Sequence, residues 1–228
     1  MRLRRVVTVA AVGFIALGIS GTYYIASPTE SHLELAPPLR EWSQRSVEDV
    51  RYTKDLKSLE QSFRGQVYRS FCGPASLATV LRAYGVSKAD QASVFPSVGA
   101  KLKAFYMGMS LPELAAVARS DGLVTELVYA DQLNLQSFRE RLKANLAREG
   151  DFVLVNYDRR VLKQKGIGHI SPVAAYDEQQ DAFLVLDEAA YRYPWTWVPA
   201  SLLFAAVHTE ADGRFRGVLF IRGYRGAG

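Results

Sequence analysis

The sequence predicts an α+β domain, with helices first and strands later along the chain. Three observations carry that expectation. Leu77, Val80, Leu81 and Tyr84 recur at the i, i+3, i+4, i+7 spacing of one helix face, between Pro74 near the start and Gly85 at the end. Ser110 with Glu113 has capping-box spacing ahead of "LAAVARSDG", and Asn134 is placed to cap a charged helix reaching about Arg148. The β-rich runs "TELVYA", "DFVLVNY", "HISPVAAY", "DAFLVLD" and "RGVLFIR" then supply the strands.

A chain of 228 residues with 49% hydrophobic side chains can build one sizeable core, so a single domain is expected, from about Leu56 to Tyr224. The stretch from Ser27 to Asp55 is polar and broken by Pro28, Pro37 and Pro38, which favours an extended tether. Ahead of it, "VVTVAAVGFIALGISGTYYIA" (residues 6–26) is uncharged and follows Arg2, Arg4 and Arg5. Its length suits a transmembrane anchor, while Gly18 and Ser20 permit cleavage as a signal peptide after Ser20. Both readings keep the arginines on the cytoplasmic side and deliver the remainder outside the cytoplasm, to the periplasm, with membrane attachment if the segment is retained. The net charge is +5, with Arg214, Arg216, Arg222 and Arg225 crowding the C-terminus. No aromatic residues interleave in a nucleic-acid-binding pattern, so no nucleic-acid partner is expected, and an anionic small substrate fits the charge as well.

Cys72 is the only cysteine, so no internal disulfide is possible. Free cysteine commonly serves as a small buried hydrophobe. This one stands at a helix N-terminus, where unpaired N–H groups and the helix dipole favour a thiolate. Gly73 leaves room for a substrate, and Gln66, six residues upstream, offers an amide to a developing oxyanion, although an ordinary polar loop glutamine explains it equally. Further on, "GIGHISPVAAYDEQQDAFLVLDEAAYRYP" reads as a hairpin. A turn centred on Glu178 sets Val173 opposite Phe183 and His169 opposite Asp187, near enough for the carboxylate to orient the imidazole. Thiolate, imidazole, carboxylate and amide are the four groups of nucleophilic acyl transfer, and Cys72, His169, Asp187 and Gln66 supply one each. A structural histidine and a strand-end cap are the ordinary readings of His169 and Asp187 taken singly; the coincidence of four favours catalysis. His32 falls in the tether and His208 in a polar stretch, which leaves His169 as the preferred base. A zinc site on Cys72, His169 and Asp187 is the alternative of a different class, but it leaves Gln66 and the helix-terminal position unexplained. The basic loop "RRVLKQKGIG", which contains Lys163 and Gly168, suits a substrate bearing two carboxylates or a solvated surface. Tyr193, Pro194, Trp195 and Trp197 either wall the site or cover the core.

"QVYRSFCGPASLATVLRAYG" resembles the nucleophile segment of papain-like cysteine enzymes, in which a glutamine six residues before the cysteine lines the oxyanion hole. The double-glycine leader peptidases of bacterial ABC exporters share that pattern and are the runner-up reading. "GDFVLVNYDRRVLKQKGIGHISPVAAYDEQQDAFLVLDEAAYRYPWTWVP" is more specific, and resembles the phytochelatin synthase family in its short bacterial form without a cysteine-rich C-terminal region. The likeness runs from about Gln66 to Ile221, with a divergent segment near 87 to 109. It implies a papain-like fold, with the nucleophile helix packed on an antiparallel sheet, and a catalytic set of Cys72, His169 and Asp187 with Gln66 at the oxyanion position. It also implies glutathione as substrate: the bond before the terminal glycine is cleaved, and γ-glutamylcysteine is held as a thioester and passed to water or to a second glutathione. No bound cofactor is implied; divalent cadmium or zinc enters as a thiolate complex of the substrate. Family members usually carry arginine three residues after the aspartate, in D-x-x-R-[FY]-K-Y-P, whereas Asp187 is followed by Glu188, Ala189 and Ala190. Deglycylation is therefore expected to outweigh transfer. Arg192, at the nearby lysine position, joins Gly73, Gly168 and Lys163 as a substrate-binding candidate.

Overall fold

The computed structural model describes residues 32–37, 39–40 and 54–226. The expected anchor or signal and most of the tether lie outside the described residues, and among those described no helix is long and apolar enough to cross a membrane. The architecture is α+β. Among the described residues from Leu56 onward the α-helices are α1 (Leu56–Ser62), α2 (Cys72–Ala83), α3 (Val98–Met107), α4 (Leu111–Ser120), α5 (Leu135–Leu146) and α6 (Ala200–Val207). The main sheet contains β1 (Leu123–Tyr129), β2 (Phe152–Asp158), β3 (Gly168–Asp177), β4 (Ala182–Val185), β5 (Thr196–Pro199) and β8 (Gly217–Tyr224). A short ribbon pairs β6 (Glu210–Ala211) with β7 (Arg214–Phe215). The sheet order is β1-β8-β2-β3-β4-β5 and every neighbouring pair is antiparallel.

Both faces of the sheet are covered, which explains why its central strands read as nearly unbroken apolar runs. Successive side chains of β2 and β8 part to opposite sides: Phe152, Leu154, Leu219 and Ile221 join α1, α2 and α4, while Val153, Val155, Val218 and Phe220 join α5 and α6. Burial of each such side chain contributes roughly 1.5–3 kcal/mol before ordering costs are counted. Local chemistry fixes the helix starts as the spacing predicts. Glu113 Oε2 accepts from both the backbone N–H and the hydroxyl of Ser110, and Asn134 Oδ1 accepts the Ser137 N–H at 2.8 Å.

The hairpin register differs from the expected one. Asp177 faces Ala182 and Tyr176 faces Phe183, so the turn centres beyond Glu178, and a bulge between Val173 and Ala175 then sets Val173 against Val185. The Asp177 side chain causes the displacement by accepting the Gln179 N–H at 2.9 Å, a turn-forming bond that the hydropathy pattern does not encode. Strand β4 ends at Val185, so Asp187 lies past the ladder instead of opposite His169 within it. The tether also departs from expectation where it is described. Leu35 and Leu39 are buried in the α5/α6 layer, and the N–H groups of His32 and Leu33 donate to the carbonyls of Tyr191 and Arg192.

Candidate active site

Cys72 is the first residue of α2, and the helix is locked to the central sheet one turn later. Ser76 Oγ donates to the Cys72 carbonyl at 2.9 Å and to the Ile170 carbonyl at 3.2 Å. Pro74 is tolerated because the first turn of a helix has no use for its missing N–H. This anchoring brings the cysteine beside the Ile170 N–H, one residue along β3 from His169. Gly73 faces inward, where an added Cβ would touch Ile170 and Leu114 at 3.6 Å. It packs the core and does not open the site to substrate as expected.

His169 is buried on β3 opposite Tyr157, whose ring meets the imidazole edge-on at 5.6 Å. Its Nε2 lies 2.9 Å from Asp187 Oδ1, a close contact in which the ring N–H is not aligned with the oxygen. The same Oδ1 accepts from Arg159 Nη2 at 2.6 Å and from the Ala189 N–H at 2.8 Å. Arg159 is 1% exposed. Its second arm donates to Gln164 Oε1 at 2.8 Å, and Tyr157 and Tyr193 flank its guanidinium. Gly166, at φ 114°, lets the chain pass over this side chain, since a Cβ there would come within 3.0 Å of Arg159 Cδ.

These contacts set the charge states. Burial alone would raise the Asp187 carboxyl, but His169 and Arg159 overrule it and hold it well below the usual carboxylate range. Burial, reinforced by the Arg159 charge, pushes the His169 imidazole down to about 4 against the pull of Asp187. Burial also pushes the Cys72 thiol up, against the Ile170 N–H, the Arg159 charge and the Gly73 N–H. The site thus holds a neutral thiol and a neutral imidazole at neutral pH. Desolvation outweighs the helix terminus that pointed to a resting thiolate.

A cavity of about 130 Å³ opens beside His169, walled by Gln66, Arg69, Arg159, Tyr191, Arg192 and the segment from Gly166 to Gly168. Gly168 and Arg192 are among its lining residues. Lys163 does not: it is exposed, in a left-handed turn (φ 54°), and lies outside the lining. Gln66 Nε2 donates to the carbonyls of Tyr68 and Arg69, both at 2.9 Å, and contacts the Tyr191 hydroxyl at 3.4 Å, so its amide is engaged within its own loop. Trp197 is core, packed with Leu154 and Leu184. Among the described residues no group of three or more histidine, cysteine or acidic side chains converges to hold a metal ion. Sequence reasoning missed Arg159, hidden in a loop read as facing substrate, and Arg69, which carries no motif of its own.

A helix-terminal cysteine beside a buried histidine and acid is an arrangement that cysteine-dependent acyl transfer can use. The family model described as phytochelatin synthase matches residues 41–218. The chain belongs to the phytochelatin synthase family. Glutathione gamma-glutamylcysteinyltransferase 3 of Lotus japonicus is 30% identical over 170 residues, covering 70% of this chain and 36% of the relative. The corresponding enzyme 1 of Triticum aestivum is 30% identical over 170 residues (70% and 34%), and that of Schizosaccharomyces pombe 29% over 116 residues (50% and 28%). The chain spans about a third of the length of these curated relatives.

Proposed function

We propose that the protein is a papain-like cysteine enzyme that removes glycine from glutathione through a γ-glutamylcysteinyl thioester on Cys72. The observation that carries this reading is the buried Asp187–His169 pair beside the cysteine helix, bordering a cavity whose walls bear three arginines. Glutathione has two carboxylates for such a surface, and guanidinium groups bind carboxylates by paired charged hydrogen bonds.

In this mechanism the Cys72 sulfur attacks the cysteinyl carbonyl carbon of glutathione while His169, neutral at rest, takes the thiol proton. The oxyanion is met by the Cys72 backbone N–H at the start of α2, where the first turn of a helix has no intrahelical acceptors for its N–H groups. Gln66 joins it on exchanging one of its loop carbonyls for the substrate oxygen. Collapse of the tetrahedral species breaks the C–N bond, and the imidazolium returns the proton to the departing glycine nitrogen. Water then attacks the thioester, with His169 again taking the proton, and γ-glutamylcysteine leaves. Asp187 keeps the imidazole oriented and stabilises its charged form, while Arg159 holds Asp187.

Hydrolysis is favoured over transfer to a second glutathione because Ala190, packed near Gly65, stands where the family pattern has arginine. Cadmium or zinc enters only as the thiolate complex of the substrate, and the basic N-terminal flank assigns the enzyme to the outside of the cytoplasmic membrane. Brief exposure to glutathione followed by intact-mass spectrometry tests the reading. A reductant-stable adduct of γ-glutamylcysteine less one water, absent in Cys72→Ser, is expected. No adduct and no released glycine, with cleavage of a double-glycine leader peptide instead, overturns it in favour of the exporter-type peptidase.

A further inference from the structure

Glu188 follows Asp187 and is fully enclosed. Its Oε1 accepts a 3.2 Å hydrogen bond from Thr79 Oγ1 on α2, and its Oε2 is buried with no partner among the described residues. Its backbone is engaged in the same place. The carbonyl accepts the Gln66 N–H at 2.7 Å, and the N–H lies 3.4 Å from Ser171 Oγ on β3. One residue thus touches the helix that begins with Cys72, the loop ahead of it and the strand that carries His169.

The surrounding charges favour a proton on this carboxyl. Asp187, its neighbour on the same loop, is ionised, and the counter-charge of Arg159 is already engaged with it, as is the His169 imidazole. Arg82 on α2 acts on Glu188 only at longer range, and a negative charge at Glu188 would push the Cys72 thiol still higher. A buried charge with one hydroxyl donor and an ionised acid beside it is strongly disfavoured, whereas an un-ionised acid there leaves one neutral O–H unmatched, which costs less than an unpaired charge. Burial accordingly raises the group well above the usual carboxylate range.

We propose that Glu188 is a positioning residue which, as a neutral carboxylic acid, clamps α2 to the Asp187 loop and so fixes the cysteine relative to the imidazole and its carboxylate. The inference rests on the catalytic reading above, and its test uses two readouts that need no substrate. In the full chain, the infrared difference between wild type and Glu188→Gln at neutral pH should contain a protonated-carboxyl band. Alkylation of the single cysteine by iodoacetamide should run at nearly the same rate in both, because glutamine keeps the shape, the neutrality and the acceptor for Thr79. Glycine release should likewise survive Glu188→Gln. It should fall on the order of tenfold or more in Glu188→Ala, in kcat and not in KM, because small displacements of reacting groups cost that much. Thr79→Val, which breaks the clamp from the helix side while conserving volume, should reproduce that loss if the alanine variant does not fold. An ionised-carboxylate band alone, Gln and Ala variants equally impaired, or a Thr79→Val enzyme with wild-type kcat would each overturn the proposal. Wild-type protein that releases no glycine sinks the glutathione reading, while the infrared and alkylation results still decide for or against Glu188.

Discussion

Asp187 meets both Arg159 and His169 with one oxygen, and that sharing determines what its substitution will do. Replacing it by asparagine removes the partner of His169 and also strands Arg159, which is buried and among the described residues has only Gln164 as its other hydrogen-bond acceptor. An uncompensated buried cation typically costs about 3–5 kcal/mol, so Asp187→Asn should lose stability as well as turnover. Turnover is expected to drop on the order of a hundredfold or more, by analogy with other oriented imidazoles. Adding Arg159→Met to Asp187→Asn should recover much of the melting temperature and none of the activity. Additive stability losses in that double-mutant cycle, measured by thermal unfolding, would show that the two residues do not act as a pair. The pH dependence follows from His169. Because the imidazole must be neutral to take the thiol proton, and is held down to about 4, the acid limb of kcat/KM should fall near pH 4 and not near 6.5. An acid limb centred near 6.5 in a steady-state profile would refute the burial argument.

At the level of elements, the nucleophile helix was legible from periodicity, Pro74 and Gly85, and five of the six main-sheet strands from their apolar runs. Helix α3 was not, because Val98, Leu102, Tyr106 and Met107 lie exposed and its apolar residues do not trace a buried stripe. Nor was β5, whose four residues follow Pro194 and Trp195 and include Trp197, side chains that propensity alone cannot assign. The pairing of His169 with Asp187 was anticipated, yet the hairpin register offered for it was not the true one. A side-chain turn at Asp177, a bulge and a buried arginine bring the two together by a route that a two-residue period cannot express. Gly168 shows how tightly this region is fitted. A Cβ there would lie 2.7 Å from Arg216 Nη1, and moving that guanidinium disturbs its 3.1 Å bond to Asn156. Gly168→Ala is therefore expected to lower stability by about 1–3 kcal/mol and to weaken substrate binding, read as a lower melting temperature with a raised KM. Unchanged values of both would mean that the Arg216 side chain swings clear at no cost.

Over the whole molecule, acid should destabilise the fold in two stages. The unfolded chain binds the His169 proton from about pH 6.5 downward while the native state resists until about 4, so stability declines as pH falls across that window. Asp187, also lowered in the native state, adds a second loss as pH falls below the ordinary carboxylate range. His169→Gln should flatten the first stage in melting curves taken from pH 7 to 4.5; an unaltered slope would assign it to other groups. The bonds from His32 and Leu33 to Tyr191 and Arg192, together with buried Leu35 and Leu39, have a practical bearing on how the enzyme is shortened. Cutting at Leu56, where composition places the start of the domain, would strip a brace from the very wall that carries Arg192. A protein starting at Leu56 should melt lower and bind glutathione more weakly than one starting at His32. The N-terminal stretch is in this sense a backstop for the proposed substrate cavity, and its amputation should register as poor affinity before it registers as slow chemistry.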